Sequence, residues 1–232
     1  MKHDHLLELQ QKLKLTFKRT RLLKQAFTHT SYVNEHKHGA AQDNERLEFL
    51  GDAVLQLLVS EHLYSTYPQR PEGELTRMRA SIVCEPSLAR FAELLQLGSY
   101  VLLGRGEEQL GGRQRPALLA DLFESFVGAM YLDLGIDQVR SFLGEHIFPR
   151  IDQADDGLLV KDFKSKLQER AQHHGLGVVE YRITEERGPA HDREFVVEVS
   201  LGDERYGTGT GRTKKEAEQR AAAEAWRSLA KD

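Results

Sequence analysis

The sequence has few of the features that mark secreted, membrane or disulfide-stabilised proteins. Its 232 residues include a single cysteine, Cys84, so no internal disulfide can form and a reducing, cytoplasmic compartment is expected. No apolar stretch approaches the roughly 20 residues that a membrane helix needs, and the polar first residues do not resemble a signal peptide. The formal net charge is −4, so binding of a polyanion must depend on local clusters or on metal ions.

The pattern of the chain changes near residue 150. Before that point, apolar residues recur with the helical period, and no alternating strand is evident. The predicted helical segments are 4–14, 21–31, 43–66, 72–83, 86–96, 116–133 and 136–148. The sequence therefore predicts an all-α domain over residues 1–152, followed by a polar linker at 153–160.

After the linker, the pattern predicts a small α+β domain over residues 161–232. The expected elements are a helix over 161–174, strands over 178–186, 193–201 and 205–211, and a final helix over 213–230. Thr213 and Glu216 have the spacing of a capping box, which indicates where the final helix begins. The predicted order is α-β-β-β-α, in a length that is usual for a small domain.

Residues 44–59, NERLEFLGDAVLQLLV, have the composition of a core helix but carry three acids. Glu45, Glu48 and Asp52 follow each other at i, i+3 and i+7, which places them within a helical arc of roughly 60°. Like charges at these spacings repel, and buried carboxylates are costly unless they are paired. An arginine from another helix could pair with Glu45 alone, but such a pair does not explain the whole stripe.

A second apolar helix, residues 118–133, repeats the pattern with Asp121 and Glu124 at i, i+3. Gly128 and Ala129 in the same helix are small and permit close helix packing. Two such helices in one domain indicate that their acids meet around a cation, and oxygen-only ligands suit Mg²⁺ or Mn²⁺. A cation held in this way activates water and stabilises charge on a phosphate under attack.

These motifs resemble a known family. NERLEFLGDAVL is similar to the signature of bacterial ribonuclease III, and EGELTRMRA and ADLFESFVGA resemble the next two motifs of that family in the same order. AFTHTSY resembles the segment that precedes the signature. The C-terminal region resembles a double-stranded-RNA-binding domain, with KDFKSKLQE, GPAHDREF and GRTKKEAEQRAA as its recognition segments. The resemblance covers nearly the whole chain.

The resemblance implies a homodimeric endoribonuclease that uses Mg²⁺, with Mn²⁺ able to substitute, to hydrolyse double-stranded RNA. It further implies 5′-phosphate and 3′-hydroxyl ends with short 3′ overhangs, and processing of ribosomal RNA precursors and other structured transcripts. The residues that match the metal-binding acids of the family are Glu48, Asp52, Asp121 and Glu124. Among these, Asp52 and Glu124 are expected to be the catalytic pair.

Three further residues of the nuclease domain match the family pattern. Glu45 and Glu72 match acids that help to engage the scissile region of the RNA or support the centre. Phe49 matches the aromatic residue that inserts into the partner subunit.

In the second domain, the expected RNA contacts follow from the shape of A-form RNA, whose base edges lie in a deep, narrow major groove. Gln168 and Glu169 on the first helix can hydrogen-bond 2′-hydroxyls, and His191 can reach a second minor groove. Lys214 and Lys215 lie at the start of the last helix, where the helix dipole favours a phosphate. A solvated helix face is the ordinary alternative for two such lysines.

Two positions depart from the family pattern, and two other functions are alternatives for a chain with these features. Ser125 stands where alanine is common, and Glu218 stands where many RNA-binding domains carry a lysine, which would slightly weaken phosphate contact. An RNA-binding protein with an inactive nuclease domain is one alternative, but all four metal acids are present. A phosphohydrolase of small nucleotides is the other, but it would not need the second domain.

Overall fold

The computed structural model describes residues 2–36, 41–152, 163–189, 193–202 and 204–229. The chain divides into two compact units, Met1–Val160 and Lys161–Asp232, and each has its own hydrophobic core. The segment predicted to be a linker, 153–160, lies outside the described residues. Within the described ranges, no helix is both long and apolar enough to cross a bilayer.

The first unit is built from helices, as the sequence predicts. In its described part these are α1 (Lys2–Lys12), α2 (Thr20–Ala26), α3 (Thr30–Glu35), α4 (Glu45–Thr66), α5 (Glu72–Ile82), α6 (Glu85–Leu94), α7 (Arg105–Gln109), α8 (Pro116–Leu134), α9 (Ile136–His146) and α10 (Phe148–Asp152). Single turns of 3₁₀ helix occur at Leu97–Ser99 and Gly112–Gln114. The short helix α7 lies between the predicted helices 86–96 and 116–133, where the sequence predicts no helix.

The prediction of one helix over residues 21–31 is wrong, because the chain breaks there into α2 and α3. The backbone N–H of Leu102 donates to the carbonyl of Phe27, and the N–H of His29 donates back to the carbonyl of Leu102. This pairing forms an isolated parallel bridge between Thr28 and Leu102, and His29 takes an extended conformation before α3 begins. The imidazole of His29 then caps α3 by accepting from the N–H of Ser31 at 3.2 Å.

Helix α8 forms the centre of the first unit and is buried on most of its circumference. Its sequence is apolar almost all round, which is typical of a helix enclosed by other helices. Pro116 occupies its first turn, where a missing N–H costs nothing, and Gly135 ends it with a φ of +87°. Helices α2, α4, α6 and α9 pack around it.

Glycines bring the backbones of α4 and α8 into direct contact. A Cβ atom added at Gly51 of α4 would lie 1.8 Å from the carbonyl oxygen of Glu124, and one added at Gly128 of α8 would lie 2.2 Å from that of Leu47. Any side chain at either position would therefore push the two helices apart. Because Glu48 and Asp52 flank Gly51, the contact carries the acids of both helices to one place.

The second unit has the predicted α-β-β-β-α order. Its elements are α11 (Phe163–His174), β1 (Val179–Arg187), β2 (Glu194–Leu201), β3 (Glu204–Gly211) and α12 (Lys214–Leu229). The strands form an antiparallel sheet in the order β1-β2-β3. Helix α12 packs on β2 and β3, and α11 packs against α12 and β1, so that the helices and the sheet share one core. The described strand boundaries agree with the predicted ones to within one residue.

Close approach of a helix to glycines recurs in the second unit. A Cβ atom at Gly209 of β3 would lie 2.2 Å from the carbonyl oxygen of Ala217 in α12, and one at Gly207 would lie 2.6 Å from that of Ala221. Buried alanines on the facing side of α12 complete this tight contact. The glycines of β3 therefore fix how closely α12 lies on the sheet.

We predict that Gly128→Ala destabilises the first unit by about 1–3 kcal/mol, because its Cβ must displace the backbone of α4. Gly144→Ala is the matched control. Gly144 also lies inside a helix, but an added Cβ would meet nothing within 4 Å. That change should be neutral or stabilise by up to about 1 kcal/mol.

Urea unfolding followed by circular dichroism measures both variants. Trp226, the single tryptophan of the chain, lies in the second unit. Its fluorescence reports that unit separately and should show an unchanged transition in both variants. Equal stability of the Gly128 and Gly144 variants would show that the two helices are free to separate.

Candidate metal centre and nucleic-acid interface

Three carboxylates from two helices meet beside the glycine contact. Glu48 of α4 and Asp121 and Glu124 of α8 each offer an oxygen, and the three oxygens lie within 4.8 Å of one another. All three residues are half-buried. The sequence prediction that the acids of the two helices meet is therefore confirmed for these three.

The pKa of Glu124 is raised to about 8, and burial is the largest cause of this rise. Repulsion by Asp52, and then by Glu48 and Asp121, adds to this rise. A carboxyl group with this pKa is mostly protonated at neutral pH unless a cation compensates its charge. The site therefore favours the binding of positive charge.

The other two members of the group show the same effect. Burial raises the pKa of Glu48, and the charges of Asp121, Glu45 and Asp52 raise it further. Burial also raises the pKa of Asp121, helped by Glu85 and opposed by His29 and Arg115. His29 and Arg115 therefore offset only part of the electrostatic free-energy cost of bringing the acids together.

Asp52, the fourth predicted metal acid, lies beside this group rather than within it. The side-chain amide of Gln56, one turn further along α4, donates to both carboxylate oxygens of Asp52 at 3.0 and 3.1 Å. Asp52 remains close enough for its charge to raise the pKa of Glu124 and of Glu48. Gln56 was not singled out from the sequence, although its i+4 spacing from Asp52 was a usable signal.

Glu45 and Glu72, the two predicted supporting acids, are exposed at the starts of helices. Glu45 lies in the first turn of α4, on the acidic face that it shares with Glu48. Glu72 lies in the first turn of α5 and accepts a hydrogen bond from the hydroxyl of Thr76 at 2.7 Å. Neither belongs to the group of three acids among the described residues.

Phe49, the predicted dimer contact, is 80% exposed on α4. Leu57 and Tyr64 are also largely exposed, and the three residues fall within a helical arc of about 80°. They form an apolar stripe that is separate from the acidic face of the same helix. Beside it, Tyr131 and Leu132 help to line a shallow apolar groove.

In the second unit, four of the five predicted RNA-binding residues are described, and all four are exposed. Gln168 and Glu169 lie on α11, and Lys214 and Lys215 lie in the first turn of α12. The ammonium of Lys214 lies 5.6 Å from the centre of the Phe195 ring, within the range of a cation–π contact. His191, the fifth residue, lies outside the described residues.

Thr213 caps the start of α12 as the spacing predicts, but the second bond of the capping box is shifted by one residue, from Thr213 to Arg212. The hydroxyl of Thr213 accepts from the N–H of Glu216 at 3.1 Å. The carboxylate of Glu216 accepts from the N–H of Arg212 at 2.9 Å. These bonds fix the orientation of the helix end from which the two lysines project.

Glu218, which departs from the family pattern, makes an ion pair inside the second unit. The ammonium of Lys164 donates to its carboxylate at 2.6 Å and also lies 4.5 Å from the centre of the Tyr181 ring. The pair joins α11 to α12. The acid at this position therefore has a structural role that the sequence did not indicate.

The donor set of the acid group fits a hard divalent cation. Only carboxylate oxygens converge there, and the three lie within 4.8 Å of one another, so that one ion of octahedral preference can bind them after small side-chain adjustments. Among the described residues, no histidine or cysteine joins the group. This donor set favours Mg²⁺ or Mn²⁺ over zinc.

Comparison with known proteins agrees with both units. Residues 19–151 match the family model described as Ribonuclease-III-like, and residues 163–229 match the double-stranded RNA binding motif. Ribonuclease 3 of Bacillus cytotoxicus is 60% identical over 220 residues, which are 95% of this chain and 89% of that protein. Ribonuclease 3 of a Geobacillus species is 59% identical over 222 residues, covering 96% and 90%.

A solved structure of the nuclease domain of ribonuclease III from Campylobacter jejuni is similar in fold. It has a TM-score of 0.56 and 39% sequence identity, and it covers 61% of this chain and 96% of its own. With its two matched domains and its near-full-length relatives, the chain belongs to the ribonuclease III family of endoribonucleases.

Proposed function

We propose that this chain is a divalent-metal-dependent endonuclease that hydrolyses phosphodiester bonds in double-stranded RNA. The observation that carries the proposal is the meeting of Glu48, Asp121 and Glu124 in a chain that also contains a double-stranded RNA binding motif. The first feature supports metal-assisted hydrolysis, and the second supports the choice of an RNA duplex as substrate.

Mg²⁺ is the proposed cofactor, and Mn²⁺ is expected to substitute for it. Glu48, Asp121 and Glu124 are the proposed ligands, with Asp52 adjacent. A divalent ion at this position lowers the pKa of a bound water and stabilises negative charge on a phosphate under attack.

The protein side chains supply position and charge to this centre. Asp52 and Glu124 are the proposed catalytic pair, and the hydrogen bonds from Gln56 hold the Asp52 carboxylate in one orientation. Glu124 is half-buried on the central helix, and its carboxylate lies beside those of Glu48 and Asp121. Glu45 and Glu72, which are exposed, are proposed to contact the RNA or to support the centre.

The second unit is proposed to recognise the shape of the duplex rather than its sequence. Gln168 and Glu169 are proposed to hydrogen-bond 2′-hydroxyls in the wide minor groove. Lys214 and Lys215 extend from the N-terminus of α12, where the helix dipole and the free N–H groups favour a phosphate. His191 is proposed to contact a second minor groove.

The active form is proposed to be a homodimer. Phe49, Leu57 and Tyr64 form an exposed apolar stripe on α4, and such stripes mark interaction surfaces in soluble proteins. A twofold axis next to this stripe would give the pair two acid centres, one for each strand of a duplex.

The products and the biological role are proposed from family membership. Hydrolysis is proposed to leave 5′-phosphate and 3′-hydroxyl ends with short 3′ overhangs, as two offset centres would produce on opposite strands. The proposed substrates are ribosomal RNA precursors and other structured transcripts in the cytoplasm. The lack of a disulfide partner for Cys84 agrees with a reducing compartment.

Glu124→Gln should separate cutting from binding. Glutamine keeps the shape of the side chain but removes a negative charge at the proposed cation, so cleavage of a long RNA duplex in Mg²⁺ should fall by orders of magnitude. Affinity for the same duplex should change little, because the phosphate contacts of the second unit remain. Gel-based cleavage and binding assays on one RNA measure both quantities.

Glu93→Gln is the control for this experiment. Glu93 is an exposed acid of the same unit, paired with Arg90 at 3.2 Å, and an exposed pair of this kind contributes little to stability. It should cut like the wild type. Near wild-type cleavage by the Glu124 variant would overturn the ligand assignment, and equal cleavage of single-stranded RNA or duplex DNA would overturn the proposed substrate.

Replacing Lys214 and Lys215 together by alanine should weaken duplex binding without any sequence preference. The slope of log affinity against log salt should flatten by about 0.7–0.9 for each phosphate contact that is lost. Arg227→Ala removes an exposed basic residue from the opposite end of α12 and should leave the slope unchanged. An unchanged slope in the double variant would mean that the two lysines only face solvent.

A further inference from the structure

A hydrogen bond between two buried polar side chains joins α4 to α8 next to the acid group. The side-chain amide of Asn44 donates to the hydroxyl oxygen of Ser125 at 3.3 Å, across 81 positions of the sequence. Ser125 is 0% exposed and Asn44 is 5% exposed. Buried polar groups are costly to leave unpaired, so a bond at this depth constrains both helices.

The two residues are direct neighbours of proposed metal ligands. Asn44 immediately precedes α4, and its carbonyl accepts from the N–H of Glu48 at 2.9 Å. Ser125 follows Glu124 in the chain. A displacement of Asn44 relative to Ser125 would therefore change the separation of the Glu48 and Glu124 carboxylates.

Asn44 does not use its side chain in the way that its position suggests. Asparagine before a helix commonly caps the helix by accepting from an N–H of the first turn. No such cap is formed at α4, where Asn44 has a helical backbone conformation and its amide is directed across to α8. A residue that is well suited to stabilise its own helix thus links two helices.

The end of α2 completes this polar junction. The hydroxyl of Ser125 lies 3.0 Å from the carbonyl of Ala26 and the same distance from that of Leu122, so its proton has an acceptor in either direction. The side-chain amide of Gln25 donates to the carbonyl of Asp43 at 3.0 Å. The junction therefore ties three helices together at the level of the acids.

The glycine contacts and this junction constrain different motions. Glycine permits a short distance between α4 and α8, but it does not by itself prevent one helix from sliding or rotating on the other. A directional hydrogen bond opposes both motions, since either one would leave a buried amide unpaired.

We propose that Asn44 and Ser125 are positioning residues for the acid group, and that their hydrogen bond sets the register in which Glu48 faces Glu124. The inference rests on the proposed metal-dependent function. It assigns a role to the serine that departs from the family pattern, beyond filling space in the core.

Mn²⁺ binding to the RNA-free, full-length chain tests the proposal, with free Mn²⁺ measured by electron paramagnetic resonance. Ser125→Ala should bind Mn²⁺ about tenfold more weakly, the size of effect that residues supporting metal ligands commonly have. Its melting temperature should fall by a few degrees. The matched control is Ser87→Ala, which removes another fully buried serine whose hydroxyl donates to a backbone carbonyl, that of Ser81, at 2.7 Å.

Ser87→Ala should lower the melting temperature to a similar extent and leave Mn²⁺ affinity unchanged. Asn44→Ala provides a second route to the same bond. It should weaken Mn²⁺ binding, and the double variant should lose less affinity than the two single losses combined, because both remove one interaction.

The result that would overturn the proposal is wild-type Mn²⁺ affinity in the Ser125 and Asn44 variants, with Glu124→Gln binding weakly. That outcome would leave the proposed metal centre standing and reduce the junction to a stabilising role. If Glu124→Gln also bound Mn²⁺ as tightly as the wild type, the proposed metal centre itself would fail.

Discussion

The first unit, which matches the Ribonuclease-III-like family model, depends on direct backbone contact between α4 and α8. Gly51 and Gly128 face carbonyl oxygens of the opposite helix at distances that admit no side chain. This contact carries Glu48 to Asp121 and Glu124, although each of these acids lies on a largely apolar helix. The same packing buries the acids and raises their pKa values, which makes a cation the natural partner of the site.

In the second unit, close packing against glycine positions a helix end instead of a group of acids. Gly209 of β3 lets α12 lie directly on the sheet, and the capping bonds of Thr213 fix the end of that helix. The packing and the cap together fix the position of the first turn of α12, which carries Lys214 and Lys215. The chain carries a formal net charge of −4, so this placement, rather than overall charge, must supply the attraction to RNA.

Local patterns predicted most of the fold, whereas details that depend on distant contacts could not be predicted. The strands of the second unit and the Thr213 cap of α12 follow from alternation and spacing along the chain itself. The break before His29 depends on pairing with Leu102, and Asp52, which lies beside the other acids, is hydrogen-bonded by Gln56. The sequence indicated that the acids would meet, but it did not identify the contact of Asn44 with Ser125.

The most direct test of this account is calorimetric titration of the RNA-free chain with Mg²⁺ between about pH 6 and 8, in buffers that differ in ionisation enthalpy. Burial and neighbouring acids hold the pKa of Glu124 at about 8, whereas a bound cation requires its carboxylate form. The account predicts that Mg²⁺ binding releases protons at neutral pH and tightens as the pH rises, and that Glu124→Gln binds more weakly and releases fewer protons. Mg²⁺ binding that depends neither on pH nor on Glu124 would contradict it.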